Sequence, residues 1–379
     1  MYHYRSSCGK ANSSRISPLN LGRIATIIGQ TIHPRWAIAQ EISMKHMLDF
    51  LWIVIVCLVG LGAPAAAQDV PKQRPPIIDM HLHALPANGW PGGPSKLCPG
   101  ADFAAFDPKQ KWDPDHVWET CPNPLYPVAT DEELLRQTLA TMDRYNVVLA
   151  ATSGPLEYVR RYRQAAPQRI LPGLSSAVGE LGSPGSLREL IRKGEIAVLG
   201  EIGPAIEGIS PEDEILEPYL AVAEELDIPL AIHVLSFQPY YLFAQNRAKL
   251  NSPLLLEKMF RRHPKLRVYV MHAGWPMLDE MISLLLLYPQ VYVDVAGIDW
   301  MLPRKEFHRY LRTLVEAGFG KRIMFGSDTS MWPQTMAIGI EAIESADFLT
   351  EAQKRDILYN NAARFLRLGG KEQLQSRPR

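Results

Sequence analysis

Eight short apolar runs, separated by longer amphipathic stretches, constrain this chain more than any other feature. They lie at residues 77–83, 147–153, 170–175, 196–202, 229–235, 266–272, 291–296 and 323–327. Their lengths suit strands, and their near-continuous apolar character suits strands buried on both faces. Helical periodicity fills the intervals, for example over 131–145, 211–226 and 306–317, with Thr130 and Glu133 placed to form a capping box on the first. Strand and helix in alternation make a parallel sheet covered by helices, and eight such units close into a (β/α)8 TIM barrel. An open doubly wound sheet is the alternative. No G-x-G-x-x-G follows the first run, so the dinucleotide-binding form of that alternative is excluded.

The polar residues at the ends of these runs carry the chemistry. His81 and His83 close the first run at spacing i, i+2, which puts both rings on one face of an extended chain. Alone that is a common pattern on a half-buried strand. Glu201, His233, His272 and Asp328 then close the fourth, fifth, sixth and eighth runs. Burying an ionisable group costs several kcal/mol unless it is paired or bound to a metal. Six of them converging on one end of a barrel point to a metal centre. Imidazoles and carboxylates without a thiolate suit zinc first, with manganese or iron as alternatives. His116, His263 and His308 fall in loop or helix and read as surface residues.

One connection differs from the rest. Residues 84–128 are rich in Pro, Gly and Trp and hold Cys98 and Cys121. A loop that long in a compact domain is usually functional, and after the first strand it emerges at the C-terminal face where barrel enzymes build their sites. It is expected to wall the substrate pocket, pinned by a Cys98–Cys121 disulfide. That pairing follows from the N-terminus. Phe50 to Leu61 carries no charge, follows Lys45 and His46, and leads into Ala65-Ala66-Ala67, the order of a secretory signal peptide. Cleavage is expected after Ala67, giving a signal at 44–67, a barrel domain at 68–379, and a periplasmic or secreted product. A membrane anchor is the competing reading, disfavoured by Pro64 and the small-residue end. Val56 before Cys57 argues against a lipid anchor. Residues 1–43 read as an extension upstream of the true start, Met44 or Met47.

Loss of residues 1–67 removes six basic and two acidic residues from a balance of 40 and 40, leaving about −4. That surface gives no electrostatic case for nucleic acid or a membrane. It also leaves Cys98 and Cys121 as the two cysteines of an exported chain.

The motifs H-x-H, G-E-x-G, I-H, M-H-A-G and G-S-D, in this order, resemble the amidohydrolase superfamily of metal-dependent barrels. They most resemble its amidohydrolase-related branch, which includes the aminocarboxymuconate-semialdehyde decarboxylase type. The resemblance covers about residues 74–368, ending in Asn360-Asn361-Ala362-Ala363-Arg364-Phe365-Leu366. It implies that His81, His83, His233 and Asp328 surround a divalent metal, with His272 beside it as a second-ion ligand or a polarising group. Glu201 departs from the decarboxylase-like members and resembles the glutamate that bridges two metals in the TatD-like nuclease branch. One ion is favoured over two.

Such a site lowers the pKa of water towards neutrality, while Asp328 takes the water's proton and His272 stabilises the developing oxyanion. The expected reaction is hydrolysis of an amide, lactone or ester-type bond in a small organic molecule. Decarboxylation of an aromatic or unsaturated acid is the close alternative. A non-catalytic binding protein that retains its metal is an alternative of another class, and a nuclease is disfavoured by the lack of basic clusters. Trp275, Trp300 and Trp332, each just past a strand, are candidate pocket walls, and Arg304 a candidate partner for a substrate carboxylate. Association into a homo-oligomer is left open.

Overall fold

Each apolar run is a strand, and the eight pair in parallel in the order of the chain. They are β1 Ile77–His83, β2 Val147–Ser153, β3 Ile170–Leu174, β4 Val198–Ile202, β5 Leu230–His233, β6 Val268–Met271, β7 Tyr292–Asp294 and β8 Ile323–Met324. The computed structural model describes residues 74–369 apart from 90–94, 112, 114–116, 119, 176 and 237–244. The proposed leader and its cleavage point lie outside those residues, as does His116. Among the described residues no helix is long and apolar enough to cross a membrane.

Backbone hydrogen bonds bring the last strand back to the first. Met80 N–H donates to Phe325 O at 2.9 Å and Asp328 N–H to His81 O at 2.7 Å. The sheet is therefore a nearly closed barrel rather than an open, doubly wound one. Ile78, Met80, Leu149, Val198, Tyr269 and Met324 form one buried cluster with Tyr359 and Phe365, while a larger one packs the strands against the helices. Burying one such aliphatic side chain stabilises by about 1.5–3 kcal/mol.

The helix over Asp131–Tyr145 forms where its periodicity predicts it, but its cap is half of the expected box. Thr130 Oγ1 accepts from Glu133 N–H at 3.2 Å, whereas the Glu133 carboxylate is taken by Arg136 and Gln137. The run at 211–226 splits into a 3-10 turn, Glu214–Leu216, and a helix, Glu217–Glu225, with Pro218 in its first turn. That position tolerates proline because its N–H would have no helical partner. The run at 306–317 starts two residues earlier, as a helix over Arg304–Leu314.

The connection after β1 has two antiparallel bridges, Leu97 with Leu125 and Phe103 with Trp118. Cys98 and Cys121 are joined by a disulfide beside the first of them. Leu97, Cys98 and Trp118 are buried in the larger core cluster, so this segment is packed onto the barrel.

His263 corrects the sequence reading. It is buried between two carboxylates, with Nδ1 3.1 Å from Glu224 Oε2 and Nε2 3.1 Å from Glu217 Oε1. His308 is half-buried and donates from Nε2 to Ala342 O at 2.9 Å. In both cases the ring serves to dock helices, a role that periodicity alone does not separate from exposure.

Candidate metal centre

The six ionisable residues at the strand ends meet in one cluster. From β1, His81 Nε2 and His83 Nε2 approach to 3.2 Å. Asp328, just past β8, places Oδ1 3.1 Å from His83 Nε2 and 3.8 Å from His81 Nε2. Glu201 on β4 faces both sides of the cluster. Its Oε2 lies 3.3 Å from His83 Nε2 and 3.7 Å from His81 Nε2. Its Oε1 contacts His233 Nδ1 closely and lies 3.7 Å from His272 Nε2. His272 Nε2 in turn is 3.1 Å from His233 Nδ1.

Backbone at the strand ends is bent to make this possible. His272 and Asp328 have φ of 58° and 45°, a left-handed conformation that costs a non-glycine residue about 1–3 kcal/mol and concentrates at functional sites. Gly297, after β7, has φ of 72°, and a Cβ there would sit 2.8 Å from Asp328 Oδ2 and 3.0 Å from His272 Nδ1. Only glycine leaves those two side chains room.

The cluster is short of positive charge. Glu201, Asp328 and the buried Asp294 have no Lys or Arg ion-pair partner among the described residues, and only imidazoles face them. Burial would raise the Asp328 carboxyl, but the charge of His81 and a hydrogen bond from His83 hold it below its ordinary value. Glu201 is likewise buried, yet the charge and hydrogen bond of His233 hold it well below. Burial pushes His233 down, whereas His81, also buried, is raised well above its ordinary value by Asp328 and Asp294. His272 is raised despite burial by its bond to Glu201.

Three donor groups have metal-sized spacing, namely His81, His83 and Glu201, then Glu201, His233 and His272, then His81, His272 and Asp294. The buried ring nitrogens His81 Nδ1, His83 Nδ1 and His233 Nε2 have no hydrogen-bond partner. Converging imidazoles and anionic oxygens without a fixed cation are what a divalent ion requires. The residues present fit such an ion.

The expected pocket walls are distributed differently. Trp300 and Trp332 are buried, and Trp300 donates to Ser327 O at 2.8 Å, bracing the turn before Asp328. Trp275 is half-buried and reaches Glu306 Oε1 at 3.4 Å. Arg304 spends its guanidinium on Asp299 O and Ile338 O, 3.2 and 3.5 Å away. An arginine that does face a cavity is Arg247, which with Glu207, Gly208 and Gln245 lines one between the segments leaving β4 and β5. Its position after a strand was visible in the sequence, but nothing local marked it.

Two buried aspartates were also missed. Asp79 accepts the N–H groups of His81 and Ser327, each at 2.9 Å. Asp294 accepts those of His272 at 2.9 Å and Ala296 at 3.1 Å. A charge inside an apolar strand run was the available signal in both.

A barrel of eight βα units with imidazoles and carboxylates gathered at the C-terminal strand ends defines the metal-dependent barrel enzymes. An amidohydrolase family model matches residues 78–368, and the chain belongs to that family. It is thus an amidohydrolase-superfamily enzyme, of a metal-dependent group.

An uncharacterised TIM-barrel protein of Bordetella bronchiseptica is similar in fold, with a TM-score of 0.51 and 18% identity over 64% of this chain and 86% of that one. An amidohydrolase II structure is similar at a TM-score of 0.50 and 18% identity, over 77% of this chain and 99% of that one. These likenesses concern the fold. Among curated proteins, protein fluG of Emericella nidulans is 22% identical over 133 residues, and the match spans 15% of its length and 31% of this chain.

Proposed function

We propose that the protein is an exported hydrolase that uses two divalent cations, zinc first among them, to cleave an amide, lactone or ester-type bond. The observation that carries the cation count is the split of Glu201. One oxygen faces the His81–His83 side and the other faces His233 and His272, so a single carboxylate is shared by two donor groups. Two ions suit that arrangement better than the single ion favoured from the sequence. Export rests on the leader pattern at 44–67.

When bound, the cations supply Lewis acidity and lower the pKa of water into the physiological range. The chain's own groups do the rest. Asp328, held ionised by His81 and His83, accepts a proton from the attacking water and returns it to the leaving atom. His233 and His272, packed edge to face with ring centroids 4.6 Å apart, fix the opposite wall and exclude bulk water from it. Arg247, which lines a cavity between the segments leaving β4 and β5 and donates to Gly208 O at 3.3 Å, is the residue we assign to a substrate carboxylate.

Metal analysis of the purified protein together with a screen of esters, lactones, amides and aromatic acids tests this reading. Two equivalents of metal and proton release without carbon dioxide are expected. Carbon dioxide release from an acid would establish decarboxylation instead, and absence of stoichiometric metal would remove the mechanism.

A further inference from the structure

Strand β7 contributes no member of the six-residue cluster, yet its polar groups touch two of them. Asp294, its last residue, is fully buried. Its Oδ1 accepts two backbone N–H groups, from His272 and Ala296. Its Oδ2 faces His81 Nδ1 at 3.4 Å, too poorly aligned for a hydrogen bond, and neither of those atoms has any other partner. Two residues on, Ala296 O lies 2.8 Å from His272 Nδ1. A carbonyl oxygen can only accept, so His272 carries a proton on Nδ1, and the neutral ring presents the Nε2 lone pair to the cluster. A carboxylate oxygen accepting from Nδ1 would impose the same on His81.

We infer that Asp294 is the positioning residue of this centre, fixing the Nδ1–H tautomer of His81 and the backbone of His272 so that both rings turn Nε2 inward. The inference rests on the metal-dependent reading of the site. It assigns Asp294 a role outside the ligand set, although its spacing from His81 and His272 would also suit a direct ligand. The geometry separates these roles. His272 Nδ1 is committed to Ala296 O, so a cation that shared this nitrogen with Asp294 would have to break that bond, while the Oδ1 bonds hold the carboxylate to the backbone. A carboxylate behind a ligating imidazole orients the ring and raises its basicity, and losing one typically weakens metal binding 10- to 100-fold.

Asp294→Asn keeps the size and the oxygen that accepts from His272 and Ala296, but turns an NH2 donor towards His81 Nδ1. That favours the opposite tautomer. The experiment is long-range proton–nitrogen NMR of ¹⁵N-histidine protein, zinc-loaded and chelated, with His81→Ala assigning the His81 signal. Zinc affinity is measured by chelator competition. In the wild type, Nδ1–H on His81 in both states and zinc on Nε2 are expected. In Asp294→Asn, zinc affinity should fall about 10- to 100-fold, with the His81 tautomer reversed in chelated protein.

Zinc on Nδ1 of His81, or a chelated wild type whose His81 carries a proton on Nε2 and none on Nδ1, would overturn the assignment even if the variant failed to fold. So would an Asp294→Asn protein with unchanged tautomer and affinity. Failure of the wild type to bind zinc would count against the metal reading, while the tautomer of the chelated protein would still decide the role of Asp294.

Discussion

The Ser327 hydroxyl donates to Asp79 Oδ2 at 2.5 Å, tying the turn after the last strand to the middle of the first. With the N–H groups of His81 and Ser327 on Oδ1, Asp79 has three donors at the seam of the barrel. Burial still raises its carboxyl above the ordinary value, with Ser327 the largest opposing influence. The seam matters because the ligand-bearing ends of β1 and β8 meet across it.

Ser327→Ala removes the hydroxyl and leaves a buried oxygen without that donor. Such a loss costs about 1–3 kcal/mol. Urea unfolding of the chelated protein should show this as a lower midpoint with unchanged slope. A stability loss near zero would mean that the two backbone donors suffice.

The disulfide gives a second test. Cys98 and Cys121 are 23 residues apart in sequence. Closing a loop of that size restricts the unfolded chain by about 3 kcal/mol. The Cys98→Ser/Cys121→Ser variant should unfold at correspondingly lower urea, and the 84–128 segment should become the first site of protease cleavage. If the segment borders the pocket, KM should rise in the same variant.

Glu201→Gln keeps the shape of the side chain and removes its charge. With an amide in place of the shared carboxylate, metal content should fall from two equivalents towards one, and kcat/KM by at least about 100-fold. Metal analysis after dialysis and a rate measurement would check both. A variant that holds two equivalents would show that Glu201 does not join the donor groups.

Much of this centre was legible because burial of charge is expensive. An apolar run that stops at a histidine or an acid must satisfy that group, and six such stops on alternating βα units left few arrangements open. The rest was hidden for equally physical reasons. Asp79 and Asp294 interrupt apolar strands too, but whether such a residue ligates a metal or accepts backbone N–H groups depends on partners in other strands. The indole N–H of Trp300 found a carbonyl inside the fold, so an aromatic just past a strand became a brace for the Asp328 turn. The helix expected over 211–226 starts only at Glu217, with Pro218 in its first turn, and a 3-10 turn over Glu214–Leu216 precedes it.

Arg247→Ala tests the substrate end. If the guanidinium holds a carboxylate of the substrate and does not change its grip in the transition state, the loss is uniform binding. KM for an acidic substrate should then rise about 10-fold or more with kcat unchanged, in line with about 1.5–3 kcal/mol for a charge-assisted hydrogen bond. The neutral amide of the same substrate should be hydrolysed equally by both proteins. Equal KM values for the acid would place its carboxylate elsewhere.

The metal-free centre should also show itself in the pH dependence of stability. His81 and His272 have folded values raised above 6.5, so their contribution is complete below 6.5 and lost as pH climbs through those folded values. Glu201 and Asp328 are lowered from 4.5 and 3.8, so theirs is present above those values and lost as pH falls through the folded ones. His233, pushed below 6.5 by burial, runs against the other two histidines and narrows the window from the acid side. Chelated protein should therefore be most stable in the mildly acidic range bounded by the ordinary carboxylate value of 4.5 and the ordinary imidazole value of 6.5. A divalent cation requires the same imidazoles neutral, so zinc should add little to Tm at pH 5 and progressively more towards pH 8. Thermal melts with and without zinc across that range decide the matter, since a zinc increment independent of pH would mean that these histidines do not bind it.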